Sequence, residues 1–415
     1  MEEERLSYRW PMAVLTMLVG LFVTGFNVGV VPPLFAEIKQ ELVLSHTQIG
    51  MIWGVASAGT FLTALGGGML ADRYGPRRVM AVGVFLSIFF CALRGVLDSA
   101  WGLSLAMFLL GMAQGLVVTN MPKAVAVWFG RRELGTAMGV VMVGGSVGNV
   151  IALMLGVSVS SALGGWKNVM FLTGALCLVM FIMWVLLARE RPAPEGRALT
   201  ATSRPAMLEG FRKVVRLREL WLLCGAEVFV FGAAMGFMGH FPENTVARGA
   251  SPSIAGVLTG VMFLTMIVSN VIGPRISDRV GLRRAFIWPA LLVNMVLTPP
   301  LALTMGAPLV LVLILNGIAI GTVMPLLRAM VVENRSIGPS LAGAALGLQH
   351  MAHRIGGIFG PMAMGWIQDA TGDFWQSYLF IAVLLGVAAV FIYLLKETGA
   401  RAKETGPLPQ AAEPG

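Results

Sequence analysis

Residues 54–78 read GVASAGTFLTALGGGMLADRYGPRR, and residues 260–284 read GVMFLTMIVSNVIGPRISDRVGLRR. The two stretches align without a gap at an offset of 206, sharing the opening Gly-Val and the closing Asp-Arg-x-Gly-x-Arg-Arg. Outward from this pair the repetition continues. Met121-Pro122 followed by Gly135 matches Met324-Pro325 followed by Gly338 at an offset of 203, and Gly25-Phe26 matches Gly236-Phe237 at 211. Matches at nearly one offset make the chain a duplication, its second half running in the same direction as its first. Duplications of this kind place a site between the halves.

The solvent of these repeats is read from charge. Hydrophobic residues make up 57% of the 415 positions and charged residues 12%, against about 25% charged in an ordinary soluble domain. Residues 10–36, 99–122, 134–166, 249–274 and 285–327 hold no Lys, Arg, Asp or Glu. A bilayer-spanning helix needs about 20 apolar residues, so each run can span once. The last can span twice, broken at Pro299-Pro300 and Gly306-Ala307-Pro308. Apolar runs between such breaks predict twelve helices: 10–33, 47–71, 79–98, 101–127, 134–158, 168–188, 219–241, 252–276, 285–304, 307–330, 338–366 and 374–395. The expected fold class is therefore an all-α membrane protein with twelve transmembrane helices in two pseudo-symmetric six-helix bundles. The bundles cover residues 1–188 and 219–397. Residues 189–218 are a linker with several prolines and basic side chains, and 398–415 read as a disordered tail.

The net charge of +9 is a topology signal. With alternate loops assigned to opposite sides, only Lys39, Lys167 and Arg248 of the 30 basic residues fall on the outer side. This positive-inside bias predicts cytoplasmic termini in a cell inner membrane and argues against a nucleic-acid surface. Cys91, Cys177 and Cys224 all lie in apolar runs, without metal-ligand spacing, so neither disulfides nor a metal site are expected. No nucleotide-binding loop or nucleophile triad is present. No cofactor and no enzyme activity are expected.

Gly68-Met-Leu-Ala-Asp72-Arg73-Tyr-Gly75-Pro-Arg77-Arg78 resembles the signature loop of the major facilitator superfamily, and the resemblance extends to the twelve spans, the second loop copy and the central basic linker. It implies that the loop latches one half against the other through Gly68, Asp72, Arg73, Gly75, Arg77 and Arg78, with Asp72 reaching the first-turn amides of a neighbouring helix. The second copy keeps Asp278, Arg279, Arg283 and Arg284 but puts Pro274 where Gly68 stands. The segments MPKAVAVWFGRRELGTAMGV (121–140) and GGIFGPMAMGWIQDATGDFWQSY (356–378) are similar to those of organic-anion branches: monocarboxylate, oxalate/formate-like, cyanate-like and anion:cation symporters. The implied function is secondary transport of a small organic anion. Drug efflux, or a non-transporting receptor on the same scaffold, is the alternative.

An ionisable side chain inside the bilayer is costly and marks a site by default. Arg354, near the middle of an otherwise uncharged span, is the expected counter-charge for a carboxylate, against a structural pairing with backbone carbonyls. His350 lies one turn away on its face. His353 falls on a small-residue stripe with Gly356 and Gly360 and reads as a packed polar group. Glu227 is the acidic residue well inside a span, either a proton carrier or a partner of Arg328. Snorkelling is the expectation for Arg94, Lys123 and Arg328. Asn27, Gln114, Asn149 and Asn316 lie on helices that line the cavity in the family and are candidate substrate contacts, or else interhelical glue. Expected partners are the anionic substrate, the lipid bilayer and protons, with the chain a monomer.

Overall fold

The computed structural model describes residues 8–129, 133–190, 212–334 and 336–399. Among these the chain is helical throughout, with no strand. The helices are α1 (Arg9–Leu42), α2 (His46–Tyr74), α3 (Pro76–Arg94), α4 (Ala100–Ala126), α5 (Leu134–Leu163), α6 (Trp166–Leu187), α7 (Arg218–Ala247), α8 (Pro252–Val280), α9 (Arg284–Ala302), α10 (Gly306–Glu333), α11 (Gly338–Thr371) and α12 (Phe374–Tyr393). Ten are long and apolar enough to cross a bilayer, and α2, bent by 41° between Ala64 and Gly66, makes an eleventh. The twelfth predicted span, α11, is 34 residues long, about 50 Å at 1.5 Å per residue. It carries Gln349, His350, His353 and Arg354 along its middle. The expected linker and tail fall mostly on residues outside those described.

Local chemistry sets the helix ends. Ser45 and Gln48 form a reciprocal capping box that opens α2, Ser99 caps α4, and Ser251 followed by Pro252 opens α8. These side-chain oxygens satisfy amides that lack an intrahelical partner. Two helices run further than the apolar pattern predicts. α1 continues to Leu42 because Pro32 and Pro33 stand in a first-turn position, where a missing N–H costs nothing. α7 continues to Ala247 through Pro242. Lys39 and Glu243 thereby lie on helices.

Packing repeats between the halves. α1 packs on α5, α2 on α4 and α3 on α6; α7 packs on α11, α8 on α10 and α9 on α12. Each pair in the second set is its counterpart in the first, moved six helices on. Between the halves, α2 packs on α11 and α5 on α8. Exchange of first and second halves turns each of these contacts into the other, as a twofold axis between parallel repeats requires. The α1–α5 contact is close enough that a Cβ on Gly25 would strike the Gly145 backbone. Small residues let two backbones approach in this way without solvent to drive them together.

Candidate functional site

The junction between the halves is closed at one end only. On α2, Gly50 and Gly54 sit against the Pro361 and Ile358 carbonyls of α11; Gly357 sits against Ser57, and Gly365 against His46. On the other seam, Gly256 and Gly260 of α8 sit against Leu153 and Met154 of α5. All these contacts lie away from the chain termini. Toward the termini, Gly343 and Gly347 of α11, and Gly135 and Gly139 of α5, face open space among the described residues.

Arg354 and His350 stand at the point of opening. Positions 365, 361, 358, 354, 350, 347 and 343 follow one face of α11 by helical spacing. Residues 365, 361 and 358 meet α2, whereas Gly347 and Gly343 meet nothing. Arg354 is half-buried, its Nε is enclosed and unpartnered, and it forms no ion pair among the described residues. His350 is also half-buried, its ring nearly parallel to that of His353 with centroids 5.8 Å apart. On the N-terminal side, Asn149 of α5 keeps a buried, unpartnered Oδ1, four residues from the Leu153 contact.

Glu227 and His353 form a buried pair beside this opening. His353 Nδ1 donates to Glu227 Oε1 at 2.7 Å, Glu227 is 1% exposed and its Oε2 has no partner. The His353 ring stacks on Phe231. Of the two readings of Glu227, the direct Arg328 ion pair is not formed among the described residues, and His353 is a partner of the carboxylate rather than a residue merely packed against glycines. Arg328 is exposed and lies within Coulombic reach of Glu227, His350, His353 and Arg354. Of the two guanidinium groups, Arg328 lies within Coulombic reach of the Glu227 carboxylate.

The two signature loops are held within their own halves. Lys123 Nζ donates to Asp72 Oδ1 at 2.5 Å and to the Gly68 carbonyl at 2.9 Å. Asp72 thus binds an ammonium in place of the expected helix-end amides, and Lys123 is tied instead of snorkelling. Gly75 turns the chain at φ +84°, Arg77 donates to the Val185 carbonyl and Arg78 faces Glu190 at 4.0 Å. Arg73 lies over its neighbour Tyr74. In the second copy Arg283 joins Asp278 and Glu333, both at 2.6 Å, and Arg284 donates to the Leu395 carbonyl. Arg279 is exposed.

The sequence profile of the Major Facilitator Superfamily matches residues 17–248 and again residues 228–414. The chain belongs to this superfamily. Among its relatives, the "Probable nitrate/nitrite antiporter NarK1" of Thermus thermophilus is 28% identical, over 94% of this chain and 91% of that one. The "Probable galactarate/D-glucarate transporter GudP" of Escherichia coli K12 is 25% identical over 95% and 94%. A multidrug resistance protein, MdtG, of Enterobacter lignolyticus is 24% identical over 96% and 94%. The fold is shared with a bacterial homologue of the lysosomal transporter Spinster solved in an inward-facing, unoccupied conformation: TM-score 0.77, 18% identity, 93% of this chain and 96% of that.

Not every polar residue expected in the cavity of this major facilitator reaches it. Asn27 is 1% exposed and points into its own bundle, where its Oδ1 accepts from Arg94 Nη2 at 2.9 Å and its Nδ2 donates to Cys177 Sγ. Gln114 is buried and donates to the Val23 carbonyl of α1. Asn316 donates to Thr298 at 3.2 Å inside the second bundle. These three are interhelical ties, whereas the half-buried Asn149 keeps an unpartnered Oδ1. Arg94 is corrected outright. It does not snorkel but is 2% exposed, bonded to Asn27 and to Thr173 Oγ1 at 3.0 Å. The apolar pattern places it near a helix end; the neighbouring helices α1 and α6 enclose it.

A second cluster, missed in the sequence because its members lie at helix ends, ties the halves at the closed end. Lys39 of α1 donates to Glu243 of α7 at 2.7 Å, and His46 of α2 lies 3.1 Å from the same carboxylate. Beside it, Asp369 of α11 accepts from the His46 and Thr47 amides and the Thr47 hydroxyl. The one available signal was Lys39, read from the loop charges as one of only three basic residues expected on the outer side.

Proposed function

We propose that this major facilitator moves a small organic anion, a carboxylate, across the membrane by alternating access, with the anion held between the halves by Arg354. The observation that carries this reading is the unpaired Arg354 guanidinium at the point where α2 and α11 part. A buried cation without a counter-charge is costly, and a planar guanidinium meets a carboxylate with two parallel hydrogen bonds. His350 and Asn149 supply neutral polar groups on the two sides of the gap. The names of the nitrate/nitrite and galactarate/glucarate relatives fit an anionic substrate. Both termini are read as cytoplasmic from the basic loops, so the gap opens inward and the Lys39–Glu243 and Asp369 contacts close the outside. Glu227, bonded to His353 one residue from Arg354, is the candidate proton carrier, since a carboxylate enclosed at a site can exchange its charge with a proton.

The multidrug relative favours a second reading, efflux of cationic amphiphiles. That reading needs an acidic counter-charge facing the gap. Glu227 is enclosed and already bonded, and Arg354 presents the opposite sign. A thermal-stability screen of the purified protein against carboxylates, inorganic anions and cationic drugs tests the proposal. Stabilisation by carboxylates is the expected result; stabilisation by cations alone would refute it.

A further inference from the structure

At the closed end, four side chains converge from both halves. His46 comes from α2, Lys39 from α1, and His240 and Glu243 from α7. One nitrogen from each histidine and one oxygen of Glu243 lie within 4.8 Å of one another. His46 Nδ1 is 3.1 Å from Glu243 Oε1, and His240 Nδ1 is 3.8 Å from Glu243 Oε2. Ligand atoms of a tetrahedral zinc ion, each about 2.0–2.1 Å from the metal, lie about 3.3 Å apart. The cluster thus has the dimensions of a three-ligand site.

His240 supplies an independent observation. It is fully buried, and its Nε2 donates to the Pro361 carbonyl at 3.1 Å. A carbonyl can only accept, so Nε2 carries the proton and Nδ1 presents a lone pair. That Nδ1 is enclosed and unpartnered, and it faces the Glu243 carboxylate. A histidine with one nitrogen fixed by a backbone carbonyl and the other free is the arrangement found in metal-binding histidines. The site already selects positive charge, because the Lys39 ammonium lies 2.7 Å from both Glu243 Oε1 and His46 Nε2. Lys39 is about a quarter exposed and on a flexible stem, so it can swing into solvent and leave its acceptors to another cation.

We propose that His46, His240 and Glu243 form a binding site for a divalent transition metal of the zinc type, with the Lys39 ammonium as its tethered competitor. Imidazole nitrogens with a carboxylate suit zinc and exclude magnesium or calcium, which take oxygen ligands. Because His46 belongs to the first half and His240 and Glu243 to the second, a bound ion joins the halves where they are already closed. The inference is independent of the anion reading, since it needs only the closed junction.

The test is titration of zinc chloride into the purified full-length protein, followed by calorimetry and by thermal unfolding. One ion per chain is expected, with a rise in unfolding temperature, and magnesium should give neither. Lys39→Met keeps every ligand and removes the competitor, so it should tighten zinc binding at least tenfold. His46→Gln and His240→Gln should each weaken it a hundredfold or more. Zinc binding by His240→Gln equal to that of the wild type would overturn the site. So would the absence of saturable binding in Lys39→Met, a result that does not depend on whether a histidine variant folds.

Discussion

His353 Nδ1 donates to Glu227 Oε1 at 2.7 Å, joining α7 to α11 one residue away from Arg354. This bond separates two effects of replacing the carboxylate. Glu227→Gln retains an oxygen that accepts from His353, so stability should change by less than about 1.5 kcal/mol, the worth of an ordinary hydrogen bond. Proton-driven accumulation should nevertheless be lost, while exchange of substrate across the membrane survives. Glu227→Ala should cost more, because it orphans the buried imidazole. Accumulation, exchange and thermal unfolding on both variants are the measurements, and wild-type accumulation by Glu227→Gln would remove its proton role.

Arg354→Gln should leave a folded protein that no carboxylate stabilises. Arg354→Lys keeps the charge and loses the two-pronged geometry, so it should bind more weakly than the wild type and more tightly than Gln. Ligand-induced shifts of the unfolding temperature give this ranking. An unchanged shift in Arg354→Gln would exclude it as the counter-charge.

Arg94→Ala should be poorly tolerated, in contrast to what its position in the sequence suggests. The change leaves a cavity among α1, α3 and α6 and removes the donor to Asn27 and Thr173. A loss of about 2–5 kcal/mol is expected from the cavity and the orphaned acceptors. Chemical denaturation in detergent measures it, and a loss below 1 kcal/mol (on the order of a surface change) would contradict the buried geometry.

Asp72 is held by Lys123 of its own half while the terminal end of the junction is open. If Asp72 latches across the halves when this end closes, it must first leave Lys123. Lys123→Gln should therefore favour closure at this end, and Asp72→Asn should favour opening. Cysteine labelling at Gly343 and Gly139 from each side of the membrane reports the shift. Identical labelling in both variants would argue that the loop acts only within its half.

Glu397 accepts from the Arg283, Arg284 and Ala285 amides at the start of α9. Burial alone would raise its pKa, but these amide bonds outweigh burial and hold the carboxyl below its ordinary value of 4.5. A lowered folded-state pKa means that the carboxylate stabilises the fold above about 4.5, and that this is lost as pH falls through the folded value. Glu397→Gln should be less stable than the wild type near neutral pH, with the difference vanishing in acid. Melting curves across that range check it, and a pH-independent difference would count against the amide bonds.

Architecture was legible in the sequence alone. Apolar runs of spanning length, the repeat joining Gly54–Arg78 to Gly260–Arg284 and the bias of basic residues are each local or periodic, so the chain displays them before it folds. The place of Arg354 inside a span was legible for the same reason, because a charge in the middle of a long uncharged run stands out. Tertiary structure decided what depends on neighbours distant in sequence. Arg94 and Lys123 resemble snorkelling side chains until α1 and α6 enclose the first and Asp72 meets the second. Asn27, Gln114 and Asn316 share the right helices with the cavity but not the right faces. Glu227 took its partner from α11, 126 residues away, and Lys39, His46, His240 and Glu243 became a cluster only when two helix ends from each half met. Spacing along one helix sets the face of a residue, whereas the rotation and tilt of packed helices set what that face meets.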